Sequence, residues 1–149
     1  MKALVVGNGS IGKRRARDLA ALEVEVVTAD PLTDADEADP LAAIRKHGPG
    51  SLVLVCSPSS EHVWQTMQAI DAGALAIMVE KPPAYSVGEW GLVVSMAEKR
   101  KVPVAVGFNF RYHPVADYLR GRVPEVLVVS ACDDVMGWPM FGPNSYACD

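Results

Sequence analysis

Three glycines at positions 7, 9 and 12 and an aspartate at position 30 are the residues whose types and spacing could hold a phosphorylated ligand. The stretch Gly7-Asn8-Gly9-Ser10-Ile11-Gly12 follows directly on the apolar run Met1 to Val6. In a G-x-G-x-x-G turn that opens a helix, the first glycine permits the tight turn. The second lets the backbone approach a pyrophosphate, and the third lets helix and strand pack closely. The free N–H groups and the positive dipole end of that helix then hold the phosphates. Asp30 closes a second strand, Val24 to Ala29, where an acid accepting both ribose hydroxyls belongs, roughly 20 residues on. A G-x-G-x-x-G alone is a weak signal, but strand, helix, second strand and acid in this order point to a dinucleotide. A carboxylate at Asp30 accepts hydrogen bonds from the ribose 2′ and 3′ hydroxyls and repels a 2′-phosphate. Pro31-Leu32-Thr33 offers no arginine to neutralise one. NAD is therefore expected as cofactor, in preference to NADP.

These residues need a rigid frame, and the rest of the chain supplies its pattern. A loop from Pro31 to Ala38 leads to a helix opening at Asp39-Pro40, with the acid as N-cap and the proline at the first helical position. Strand three spans Ser51 to Cys56, and the following helix places Val63, Met67 and Ile70 on one face. Strand four spans Leu75 to Val79. Trp90, Val94 and Ala97 mark the face of the next helix, and Val102 to Phe108 is the fifth strand. Near-continuous apolar strands are the mark of parallel strands covered on both faces. Alternating strands and helices of this kind make an α/β fold, a Rossmann-type doubly wound parallel sheet with right-handed crossovers.

Beyond Phe108 the pattern changes. His113 caps a short helix carrying Val115, Tyr118 and Leu119 and ending at Gly121, and Glu125 to Ala131 reads as a further strand. The Pro- and Gly-rich end, Gly137 to Asn144, builds no element of its own. The expected organisation is a dinucleotide-binding domain over residues 1–122 and, over 123–149, the first strand of a truncated second α/β domain. Its unpaired strand edge predicts self-association through residues 125–135, hence a homo-oligomer.

The chain has 149 residues and a formal net charge of −4, with an isoelectric point near 5.3. That balance argues against a nucleic-acid surface. No apolar run reaches the length needed to cross a membrane, and Met1 opens almost directly into a strand, leaving no room for a signal peptide. Cys56, Cys132 and Cys148 are odd in number and widely spaced, as expected of reduced cytoplasmic thiols and not of a disulfide framework or a zinc site. The acids Asp34, Asp36, Glu37 and Asp39 read as a solvated loop, with no metal site.

Four stretches fit together: Gly7 to Gly12, Ser57-Pro58-Ser59-Ser60-Glu61-His62 after strand three, Glu80-Lys81-Pro82 after strand four, and Gly107-Phe108-Asn109-Phe110-Arg111-Tyr112-His113-Pro114 after strand five. In that order and spacing, over about residues 1–135, the chain resembles the NAD(P)-dependent glucose–fructose oxidoreductase / inositol dehydrogenase / rhizopine-catabolism (Gfo/Idh/MocA) family. The resemblance implies a Rossmann half followed by a second α/β domain that carries the substrate pocket and a proton-transferring histidine, which this sequence does not reach. It therefore implies a dehydrogenase acting on a hydroxyl of a sugar, inositol or other polyol, truncated here and inactive as this chain alone.

The same resemblance places Lys81 between nicotinamide and substrate hydroxyl as the catalytic group. Glu80 contacts the nicotinamide ribose or caps and orients its neighbours. Ser57 and Pro58 form a turn along the cofactor's ribose or a plain turn, and His62 is a structural cap or a cofactor neighbour. Arg111 falls near the nicotinamide and the interdomain cleft. Arg14 and Arg15 read as solvated helix charges, and related sequences often have a histidine where Arg15 stands, so no role carries over to it. The peptide bond of Lys81-Pro82 is cis or trans on sequence grounds, and Cys56 is a buried small hydrophobe. Two other readings stand behind the dehydrogenase. One is a non-catalytic dinucleotide-binding module. The other is an S-adenosylmethionine-dependent methyltransferase, in which Lys81-Pro82 has no place.

Overall fold

The computed structural model describes residues 1–108. Arg111, the helix from His113, the strand from Glu125 and the division at residue 122 lie outside the described residues.

Five strands and four helices alternate in chain order: β1 (Lys2–Val6), α1 (Ser10–Ala20), β2 (Glu25–Ala29), α2 (Pro40–His47), β3 (Leu52–Val55), α3 (Ser59–Asp71), β4 (Ala76–Val79), α4 (Val87–Arg100) and β5 (Val104–Val106). All strand pairs are parallel, in the spatial order β2-β1-β3-β4-β5. This is the expected doubly wound α/β sheet. Its order reverses between β1 and β3, so the carboxyl ends of those two strands flank the crevice where open sheets place ligands.

Local chemistry explains the helix boundaries. Asp39 caps α2, its carboxylate accepting from the N–H groups of Leu41 and Ala42, and Pro40 sits where no N–H is needed. At α4, Ser86 and Glu89 form a reciprocal capping box. By contrast, α1 starts at Gly9 with no side-chain cap and no acid in its first turn.

The sheet separates two apolar clusters. On one face, α2, α3 and α4 cover Leu4, Val6, Val53, Val55, Ile77 and Val79 together with Ile44, Ile70 and Val93. On the other, α1 brings Ala16 and Leu19 against Ala3, Val5 and Leu54. The helix face of α3 is as the sequence indicated, with Ile70 buried and Val63 and Met67 packed beside it. Two expectations need correction. On α4 the core takes Val93, fully buried, together with Ala97 as expected, whereas Val94 is exposed. Coverage of both sheet faces also fails at the β5 edge, where Ala105 is exposed between Val104 and Val106. The paired strands are shorter than the apolar runs, most of all β5, because Pro103 has no N–H to give to the ladder and only its carbonyl joins, accepting from Ile77.

Candidate functional site

The crevice at the carboxyl ends of β1 and β3 is built by contact between two turns. Gly7 adopts φ +93°, and a Cβ there would lie within 2.7 Å of the Cys56 and Ser57 backbone. A Cβ on Gly12 would lie 1.8 Å from the Gly7 carbonyl oxygen. Glycine at both positions is therefore demanded by the protein's own backbone. Gly9 is different, because among the described residues a Cβ there would meet nothing within 4 Å. Its backbone faces open space at the start of α1, where the first-turn N–H groups of Ser10, Ile11 and Gly12 have no side-chain cap. Gly9, Ser10 and Ile11 are exposed. Open space, free donors and a positive helix end without an acid fit a phosphate group.

Asp30 stands at the rim of the same crevice. Its Oδ2 accepts from the Asn8 N–H at 2.7 Å and its Oδ1 from the Leu32 N–H at 2.8 Å. The carboxylate is thus held in place, with a lone pair on each oxygen still available for a hydroxyl. Asn8, 5% exposed, donates its side-chain amide to Thr33 Oγ1 and to the Asp34 carbonyl, knitting the glycine turn to the loop beyond Asp30.

That loop is more ordered than its charge run suggested. Asp36 accepts from the N–H and hydroxyl of Thr28, and the backbone hydrogen bond first, then the hydroxyl, holds its carboxyl below the usual carboxylate range. Glu37 takes hydrogen bonds from His47 and Lys46, and His47 chiefly lowers its carboxyl likewise. Asp34, Asp36 and Asp39 are exposed, as a solvated loop requires, while Asp36 and Glu37 also reach donors that their sequence neighbours did not reveal. Among the described residues no group of three or more metal-ligating side chains comes together.

Ser57 donates its hydroxyl to Gln65 Oε1 at 2.6 Å, and Pro58 is exposed and precedes α3 without a capping side chain. His62 is 1% exposed, its Nε2 2.8 Å from the Ser57 carbonyl and its Nδ1 2.7 Å from that of Pro82. It does not cap the helix. It ties the turn after β3 to the turn after β4. The Lys81-Pro82 bond is cis, and the Lys81 side chain is exposed just beyond the carboxyl end of β4.

Glu80, 9% exposed, pairs with Arg15 of α1: Oε1 accepts from Nη2 at 2.6 Å and from Nε at 3.0 Å. Arg15 is therefore no solvated helix charge, and the sequence reading missed the pair. Gly107 on the far side presents its backbone to the carboxyl, with a virtual Cβ 3.2 Å away. Cys56 lies within reach of both charges. Burial pushes its thiol up to about 12, Glu80 adds to the rise and Arg15 opposes it. With roughly one thiol in ten thousand ionised at pH 8, a short pulse of iodoacetamide on the native protein should leave Cys56 unlabelled, as peptide mapping would show. Labelling of Cys56 as fast as in the denatured chain would contradict that.

Residues 1–108 match the Gfo/Idh/MocA oxidoreductase family over its NAD-binding Rossmann fold. The curated UDP-N-acetylglucosamine 3-dehydrogenase of Acidithiobacillus ferrooxidans is 28% identical over 130 residues, which cover 80% of this chain and 41% of the relative. A solved structure of UDP-N-acetylglucosamine 3-dehydrogenase from the same organism superposes with a TM-score of 0.69 at 26% identity, covering 80% of this chain and 42% of that one. The scyllo-inositol dehydrogenase of Lactobacillus casei, solved with NAD(H) and scyllo-inositol bound, shares the fold at a TM-score of 0.70 and 19% identity, over 80% of this chain and 39% of its own. The chain thus spans about two fifths of the length of these relatives.

Proposed function

The chain belongs to the Gfo/Idh/MocA oxidoreductase family, and from that membership we propose that it holds NAD(H) for hydride transfer to and from a hydroxyl-bearing carbon of a sugar, an inositol or a related polyol. The observation that carries this is the uncapped, acid-free start of α1 facing open space at Gly9, beside an Asp30 carboxylate fixed by the glycine turn's own N–H. The first-turn amides hold the pyrophosphate. Gly7, Asn8, Gly9, Ser10, Ile11 and Gly12 shape that cradle, and Asp30 takes the adenosine ribose hydroxyls. Ser57 and Pro58 run beside the cofactor, kept in place by His62 through the Ser57 carbonyl.

The cofactor, when bound, supplies the hydride acceptor. Lys81 orients the substrate alcohol and stabilises the alkoxide that develops as hydride leaves, a role that needs the exposed cation at a sheet end which this residue presents. By the length of its relatives, substrate capture and proton transfer reside outside these 149 residues, and this chain alone turns over no polyol. Similarity to a nucleotide-sugar dehydrogenase and to an inositol dehydrogenase supports a polyhydroxylated substrate class.

Cofactor choice follows from charge. Asp30 repels a 2′-phosphate, and Leu32 and Thr33 beside it bring no cation. Calorimetric titration of the 149-residue chain should give tighter binding of NADH than of NADPH. Asp30→Ala should narrow the gap by weakening NADH and relieving the repulsion of NADPH. Equal affinities in the wild type, or a gap that Asp30→Ala leaves untouched, would count against this assignment.

A further inference from the structure

We propose that the Arg15–Glu80 pair sets which redox form of the dinucleotide this site favours, by cancelling a carboxylate that would otherwise select the positively charged oxidised nicotinamide. The inference rests on the dinucleotide reading above and extends it to a residue outside the glycine turn and the Glu80-Lys81-Pro82 stretch.

The geometry isolates the charge pair well. Both hydrogen bonds from Arg15 fall on one oxygen, Oε1 of Glu80. Oε2 accepts no hydrogen bond from the described residues. A Cβ at Gly107 would come within 3.2 Å of this carboxyl, so glycine there leaves the carboxylate its space. Arg15 therefore holds a carboxylate at the carboxyl end of β4, adjoining Lys81, with Oε1 engaged and Oε2 without a donor among the described residues. The pair is partly buried, with side-chain exposures of 29% for Arg15 and 11% for Glu80, so solvent screens it less than a surface pair.

The two forms of the cofactor differ in charge at one place, the nicotinamide ring, which is cationic when oxidised and neutral when reduced. A lone carboxylate in this crevice attracts the oxidised ring and is indifferent to the reduced one. With Arg15 bound to it, that bias is removed. Lys81, the neighbouring cation, is present in either case and does not alter the comparison. A unit charge gained or lost in a partly buried site changes affinity for a cation by roughly tenfold.

The test is titration of NAD⁺ and of NADH, separately, into the 149-residue chain as wild type, Arg15→Ala, Glu80→Gln and the double variant. Arg15→Ala should shift the ratio of affinities toward NAD⁺ by about tenfold, and Glu80→Gln should shift it toward NADH by a similar factor. The double variant, neutral again at this position, should return to within about threefold of the wild-type ratio. A merely structural pair would weaken both forms in parallel and leave the ratio unmoved in every variant, which would overturn the proposal. So would single variants that move the ratio in the same direction. If Arg15→Ala does not fold, as a loss of helical circular dichroism would show, the opposed sign is still read from Glu80→Gln against the double variant. A wild type that binds both forms with an unmoved ratio in the variants refutes this inference alone. A wild type that binds neither refutes the dinucleotide reading with it.

Discussion

Lys81→Ala, made in a protein carrying the family's full length, is expected to lower turnover by about 10²–10⁴-fold and to leave NADH affinity within about twofold. Lys81 follows the last residues of β4 and lies beyond a buried Glu80, so its side chain is exposed while its backbone is anchored. The anchoring comes from several directions. Glu80 donates its N–H to the Val55 carbonyl, Gly107 donates to Val79, and the carbonyl of Pro82 meets the buried ring of His62. A cation carried on backbone anchored at this point is placed to stabilise a developing alkoxide, which is where catalytic electrostatics gains most. Removing the ammonium takes away that stabilisation and leaves the phosphate cradle, a separate loop, intact. Steady-state kinetics with direct NADH titration checks both halves. Turnover within a few-fold of wild type would remove Lys81 from the chemistry, and a parallel collapse of NADH binding would make it a cofactor contact instead.

Gly12→Ala is the second large effect. The new methyl would sit 1.8 Å from the Gly7 carbonyl oxygen, a backbone atom in a turn that is itself wedged against Cys56 and Ser57. No flexible side chain is there to yield, so α1 must move away from β1. Overpacking in a core costs about 1–3 kcal/mol and sometimes more, and here the obstruction is rigid backbone. A fall in melting temperature of about 10 °C or more follows. Gly9→Ala, three residues earlier, should cost no more than a weak N-cap change of about 1 kcal/mol, because its Cβ meets nothing within 4 Å. Thermal melts of the two variants side by side would show the contrast, and equal destabilisation would mean that the turn is packed differently.

What the sequence revealed and concealed divides by the range over which residues act. The turn Gly7 to Gly12 and the start of α2 at Asp39-Pro40 were readable because strand, glycines, cap and proline act within a few residues of one another. Asp30 was picked out by its place at the end of the second strand, roughly 20 residues after the glycine turn, and its carboxylate accepts from the Asn8 N–H of that turn. On α4, Trp90 and Ala97 pack inward as expected and Val94 does not. Spacings of three and four both keep a residue on one helix face, and only tertiary packing chose Val93 over Val94. The Arg15–Glu80 pair joins residues 65 apart, and only the strand order, with β4 two strands from β1, brings them together. His62 gave no signal of its partners because both are backbone carbonyls, which any residue supplies. The donors that reach Asp36 and Glu37 were not legible because charge density along the chain does not reveal where the loop folds back onto Thr28 and α2.

The central claim is that the open space above Gly9 is the seat of a dinucleotide pyrophosphate, and calorimetric titration of NADH into the wild-type chain and into Gly9→Ala tests it most directly. Saturable one-to-one binding to the wild type is expected, with at least a tenfold loss of affinity in a Gly9→Ala chain that still folds, because its methyl would occupy the space that the pyrophosphate needs. Absence of NADH binding to the folded wild-type chain, or unchanged affinity in Gly9→Ala, would contradict it.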